Sequence, residues 1–410
     1  MKKLLIISAL LLSAIYSSAQ KFEDYFEDRT LRLDYTFAGC EVIHDIFVDE
    51  LVALPHWYGR RHHLSEVPLT GNGQVIVRPH NSEEVIYRHS FSTLFQEWLA
   101  TEEAKQTQKS FENVFLIPFP KDTVDITVEI YDYHGETVNW IRHTVAPNDI
   151  LIRKAGERSI TPYDVLHQAS DTSSCIHIAF VAEGYTANEM DHYINDCHKA
   201  IGSLFNHEPF KSMQDRFNII AVKSVSEESG TSEPSKGIWK NTALGSHFDT
   251  FYSDRYLTTL HLKKLHDVLA GTPYEHIIIL VNTEHYGGGG IYNSYNLSYT
   301  GGKHFLPVVV HEFGHSFGGL GDEYAYGNDD PMYFEDYEPW EPNLTTKATA
   351  FIKWENLIKE GKAGLYEGGG YLEKGVWRGC ENCRMRTNEE PDFCPVCQQA
   401  LTNLIKFYTE

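Results

Sequence analysis

Positive charge is in short supply in this sequence. Its 35 Lys and Arg face 57 Asp and Glu, for a net charge of −22 with histidine neutral. Such a balance argues against nucleic acid or an anionic membrane surface as partner. Beyond residue 20 there is no apolar run long enough to span a bilayer, so no membrane span is expected there. No internal repeat is present, and no glycine-rich stretch ends in the Lys-Ser/Thr pair of a phosphate loop, which removes nucleotide binding. Methionine is down to 5 residues and cysteine to 7. An odd number of thiols leaves at least one without a partner in the chain, so disulfides alone cannot use them all.

What is present is the composition of an ordinary globular protein, 42% hydrophobic and 22% charged over 410 residues. That length exceeds what one core usually holds, and two domains are expected. The chain opens with Lys2 and Lys3, an apolar stretch from Leu4 to Ile15, and the small residues Ser17, Ser18 and Ala19. This is the pattern of an export signal cleaved near Ala19. The expectation is therefore a signal peptide over 1–19 and an exported mature chain, in the periplasm, at the cell surface or outside the cell. No cysteine follows the cleavage site, which argues against a lipid anchor.

Residues 20–160 read as a β-rich accessory domain. Leu31 to Phe37 alternates apolar and polar residues, Val114 to Pro118 is a short buried-type run, and 125–132 with 138–145 form a hairpin about His134-Gly135-Glu136. Several strands separated by turn signals suggest a β-sandwich, with one helix over 91–104. No titratable cluster stands out in this half. A linker is expected over 154–163. Residues 161–410 then alternate strands (175–182, 218–222, 277–281) with helical stretches such as 187–205, the pattern of an α/β domain. Gly287 to Gly290 requires a bend or a close backbone approach, and 291–299 after it alternates like an edge strand.

The chemistry concentrates in 303–326, KHFLPVVVHEFGHSFGGLGDEYAY. His311 and His315 are four residues apart on an apolar helix, so both imidazoles reach the same side and can grip one Zn²⁺. Glu312 is placed to take a proton from water at that metal. The glycines at 314, 318, 319 and 321 predict that the helix stops and the chain turns back. Asp322 and Glu323 follow the turn. A third ligand returning there, with the fourth position open, is what a catalytic zinc site needs. Asp322 is the first choice for that ligand and Glu323 the alternative. Tyr324 or Tyr326 could face the oxyanion of a tetrahedral intermediate.

Residues 380–397, CENCRMRTNEEPDFCPVC, carry two C-x-x-C pairs. Cys380, Cys383, Cys394 and Cys397 could hold a second, structural Zn²⁺, whereas export favours disulfides. Both readings stay open. Met385 lies between the pairs.

HEFGHSFGGLGDEY, VAEGYT at 181–186 and the C-x-x-C-x-M-R segment resemble the bacterial IgA-peptidase family of zinc metallopeptidases, and 21–160 resembles the β-rich N-terminal domain that accompanies it. The resemblance implies an α+β chain, with a β-sandwich-like domain followed by an α/β zincin (metzincin-like) catalytic domain. It implies His311 and His315 as ligands and Glu312 as base. Metzincin peptidases carry H-E-x-x-H-x-x-G-x-x-H/D. Gly318 falls on their glycine, but Gly321 occupies their third-ligand position and the acid comes one residue later. Their methionine turn, an apolar floor beneath the metal, has Met385 as its first candidate here and Met332 as its second. The expected function is secreted zinc-dependent endopeptidase action on an extracellular protein, immunoglobulin-like or a host glycoprotein. The competing readings are a non-catalytic glycan- or protein-binding module with a relict metal site, and zinc-dependent hydrolysis of a non-peptide bond.

Overall fold

The computed structural model describes residues 20–326 and 337–410. The export signal at 1–19 and Met332 lie outside the described residues. The chain is a mixed α/β structure. Its longest unbroken apolar runs form the middle of a six-stranded sheet, ordered Gly288–Ile291, Tyr295–Tyr299, His276–Val281, Ile176–Glu183, Phe217–Val222 and Tyr163–His167. The four inner strands are parallel, and the outermost strand at each end is antiparallel to its neighbour.

A parallel sheet covered on both sides needs apolar residues throughout, and the strand period then divides them between two cores. Ala179, Val181, Ile277, Ile279 and Val281 join the core shared with the β-rich N-terminal half. Ile178, Phe180, Ala182, Ile278 and Leu280 join a second core with the helices Met190–Leu204, Phe305–Ser316 and Pro395–Thr409.

The N-terminal half is β-rich, as expected. One four-stranded sheet runs Lys109–Pro120, Phe26–Cys40, Ile43–Leu54, Arg153–Lys154, and another Tyr87–Phe91, Gly73–Pro79, Val124–Tyr131, Thr137–Val145. They meet through aromatic rings: Phe91 lies 4.2 Å from Phe115 and 6.2 Å from Phe37 between centroids. Buried Arg32 links this half to the helix Leu262–Leu269, gripping Asp34 and donating to Asp267 at 2.6 Å. Among the described residues no helix is long and apolar enough to cross a membrane.

One expectation needs correction. The edge strand is the glycine run itself, Gly288–Ile291, whereas Tyr295–Tyr299 is an interior strand buried at every position. Counting alternation could not reveal this, because a strand without side chains shows no alternation. The outer edge at Gly288 is also occupied: its amide donates to Arg255 O at 3.3 Å, and Leu257 N donates to Gly288 O at 3.1 Å. The VAEGYT motif is a structural anchor. The Glu183 carboxylate, fully buried at the end of a central strand, accepts from Thr242 Oγ1 and from the amides of Leu244 and Ser246 at 2.5–2.8 Å. It thereby holds the 242–246 loop in place.

Candidate metal centre and active-site cleft

The helix Phe305–Ser316 carries Pro307 in its first turn, where no backbone donor is lost. It ends where glycine takes over. Gly319 adopts a left-handed φ of 57° and donates to His315 O at 3.0 Å, closing the last turn. The chain then folds back, pinned by Asn343, whose side chain exchanges two 2.8 Å hydrogen bonds with the backbone of Gly321. This return brings Asp322 to the histidines.

Three acceptor atoms converge there. Asp322 Oδ1 lies 3.1 Å from His311 Nε2 and 3.2 Å from His315 Nε2, and the two Nε2 atoms are 3.0 Å apart. The other ring nitrogens decide the tautomer: His311 Nδ1 faces Arg384 O at 3.1 Å and His315 Nδ1 faces Leu320 O at 2.6 Å. A carbonyl can only accept, so each Nδ1 carries its proton and Nε2 is the nitrogen left to face the cluster, where it can give up a proton and offer a lone pair to a metal. One proton could bridge only two of the three atoms. Asp322 Oδ1 receives no hydrogen bond among the described residues. Ligands about 2.0–2.1 Å from a tetrahedral zinc stand about 3.3 Å apart, close to the spacing found. The residues fit a metal ion.

The electrostatics agree. Burial alone would raise the Asp322 pKa, but His315 and His311 hold it well below the usual carboxylate range. Burial would lower His315, yet Asp322 and Glu312 push it up to about 9. The cluster attracts positive charge, and a cation at Nε2 would replace the proton. Burial raises the Glu312 carboxyl, a shift that His311 and His315 oppose.

The glycine strand lies directly on the helix Phe305–Ser316. A Cβ on Gly288 would come within 2.5 Å of Glu312 Oε1, and one on Gly290 within 2.5 Å of Glu312 O and 3.0 Å of His315 Cβ. Glycine is thus required for the strand to approach the acid. Met385 is fully buried beneath the helix, with its Sδ 2.6 Å from where a Gly314 Cβ would stand. Glu323, the alternative ligand, turns away from the histidines. Its Oε1 lies 3.2 Å from Cys397 Sγ and 4.0 Å from Cys394 Sγ. All seven cysteines are unbonded. Of the four C-x-x-C cysteines, Cys383, Cys394 and Cys397 gather with Glu323, and Cys380 stands at the edge of that group, hydrogen-bonded to Cys394.

The histidines open onto a cleft of about 750 Å³ lined by Gly287 to Gly290, Arg255, Tyr324, Tyr326 and Tyr371. Tyr324 stacks on His311, with planes 10° apart, and Arg255 lies over Tyr324 and Tyr326. Sequence reasoning missed several of these residues. Tyr371 hydrogen-bonds Asp322 Oδ2 and follows a second glycine run, Gly368 to Gly370, which could have marked it. The N-terminal half, read as lacking titratable groups of interest, supplies Gln96, Glu97 and Tyr133 to the cleft. Tyr256 hydrogen-bonds Glu97, whose carboxyl burial raises to about 7.

The chain matches the family described as IgA Peptidase M64 over residues 165–363 and 360–405. Residues 21–141 match the family described as Peptidase M64 N-terminus. No curated protein matches it significantly. These matches extend over most of the chain, and it belongs to the IgA Peptidase M64 family of peptidases.

Proposed function

We propose that the chain is an exported zinc-dependent endopeptidase that cleaves an extracellular protein, with a metzincin-like catalytic domain over 161–410 and an accessory domain over 20–160 that supplies one wall of the cleft. The observation that carries the reading is the convergence of His311 Nε2, His315 Nε2 and Asp322 Oδ1 at the cleft floor beside Glu312. His311, His315 and Asp322 would hold the zinc, and the open side faces the cleft. When bound, zinc there supplies Lewis acidity that polarises a carbonyl oxygen and acidifies a neighbouring water.

Glu312 provides the proton chemistry. Its carboxylate accepts a proton from the attacking water and returns it to the leaving amine, a transfer worth about 10²–10⁴ in rate. Gly288 leaves room for that carboxylate on the strand side. His311 and His315 keep their Nδ1 protons on backbone carbonyls, which fixes the rings toward the reacting side. Arg255 and Tyr324 both line the cleft beside the histidines and would be the donors for the oxygen of a substrate carbonyl. The substrate would lie in the cleft over the three converging atoms, alongside the packed rings of Tyr324, Tyr326 and Tyr371. Pairing along Ile291–Tyr299 is not available to it, because that edge is inside the sheet.

A relict binding module would have no use for an acid held beside two oriented histidines, which favours the enzyme. The test is a peptide-library digest with and without chelator, together with Glu312→Ala. We expect that variant to keep its zinc and to lose hydrolysis. Full activity in it would overturn the assignment.

A further inference from the structure

A second group of metal-ligating atoms lies behind the first. Glu323, Cys383, Cys394 and Cys397 are 1%, 0%, 5% and 0% exposed, and one donor atom from each falls within 4.8 Å of all the others. Cys383 Sγ and Cys397 Sγ stand 3.7 Å apart. Zinc–sulfur bonds of about 2.3 Å in a tetrahedron place sulfurs about 3.8 Å apart and a carboxylate oxygen about 3.5 Å from each sulfur. The Glu323 Oε1 distances of 3.2 and 4.0 Å bracket that value.

The surroundings suit deprotonated ligands. The amide of Cys394 donates to Cys383 Sγ at 3.2 Å, and Asn343 Nδ2 donates to Glu323 Oε1 at 3.0 Å. Cys394 caps the helix Pro395–Thr409 and Cys397 lies in its first turn, at the positive end of its dipole. Glu323 Oε2 is buried without a hydrogen-bond partner among the described residues. A buried carboxylate among thiols is costly unless something binds it. Three thiolates, one carboxylate and Zn²⁺ sum to a charge of about −2. Buried Arg378 and Arg384 stand close enough to feel Glu323 and Cys383, and they offset that charge.

We propose that Glu323, Cys383, Cys394 and Cys397 form a closed structural zinc site, separate from the cleft, with Cys380 outside its coordination sphere. On binding, the three thiols and the carboxyl release their protons to solvent, and no oxidation is involved. The site joins the two segments that position the cleft ligands. Glu323 follows Asp322 directly, and its amide donates to Met385 O at 2.9 Å. Cys383 immediately precedes Arg384, whose carbonyl orients His311.

The proposal stands independently of the peptidase reading, because a variant lacking the cleft histidines still reports on the thiol site. Metal analysis of the purified full chain, dialysed free of loose zinc, should give two zinc per chain, and the His311→Ala/His315→Ala double variant one. Cobalt(II) in that double variant should show thiolate-to-metal charge-transfer absorption. Adding Cys380→Ser to it should leave that band and the zinc in place, and adding Glu323→Gln should weaken zinc binding. A metal-free double variant would overturn the site, as would a disulfide mapped by peptide mass to Cys383, Cys394 or Cys397. Loss of zinc with Cys380→Ser but full retention with Glu323→Gln would overturn the ligand set. The wild-type count needs no variant to fold.

Discussion

Asp322 and Glu323 are neighbours in sequence, nearly equal in burial, and opposite in circumstance. Asp322 turns toward two imidazoles at the floor of a cleft, where His311 and His315 are 13% and 17% exposed. Glu323 turns toward three thiols sealed from solvent. Burial acts on both, but nearby positive charge wins at Asp322, whereas at Glu323 desolvation and Cys394 push the carboxyl up to about 8. Nitrogen and oxygen donors with one side open suit catalysis, and a closed sulfur-rich set suits structure. One turn of chain thus serves two environments.

The largest effect should separate the two acids. Asp322→Asn is expected to weaken zinc at the cleft by more than about 100-fold, beyond the usual loss for a supporting residue, with hydrolysis falling alongside. Glu323→Gln should leave cleft zinc affinity within about tenfold. Equal losses in a competitive chelator titration would mean that the two acids act on one site and would break the comparison.

Gly288→Ala probes the cleft side alone. The new Cβ meets Glu312 Oε1, and the acid must shift. A misplacement of about 1 Å costs up to about 100-fold in rate. We expect kcat to fall with zinc content unchanged; loss of zinc instead would show that the strand supports the ligands and not the base.

Tyr371→Phe is a smaller test on the same side. The Tyr371 hydroxyl holds Asp322 Oδ2, leaving Oδ1 free to face the histidines. Removing such an orienting contact costs roughly 10-fold or more in metal affinity. Unchanged affinity in the titration would reduce Tyr371 to packing.

Much of this was legible in the sequence where one local period decides the outcome. The helix bearing His311 and His315, the glycine stop and the central strands follow from spacing and unbroken apolar runs. The divergence of Asp322 and Glu323 was not legible, because it depends on where the chain returns after the glycine turn, and ranking them as rivals for one ligand position reflects that. What could not be read was long-range. Tyr371, Arg255 and Glu97 reach the cleft from separate segments, and the gathering of Glu323 with Cys383, Cys394 and Cys397 brings together residues that spacing alone does not relate.

A third buried acid shows what burial does where no cluster gathers. The Glu275 side chain is 16% exposed, and its Oε2 has no hydrogen-bond partner among the described residues, the nearest imidazole nitrogen, His276 Nε2, standing 4.0 Å away and itself without one. Burial pushes its carboxyl up to about 8 from the ordinary 4.5, against the opposing charge of Arg60. Between those two pH values the folded chain keeps a proton that the unfolded chain has lost. Stability should therefore fall as pH rises through the window, by at most about 1.4 kcal/mol per unit. Glu275→Gln cannot ionise, so its Tm advantage over the wild type should grow from about pH 4.5 to about 8 and then level off. Parallel Tm curves across that range would mean that Glu275 finds a partner for its charge, and the contrast with Asp322 and Glu323 would lose its control.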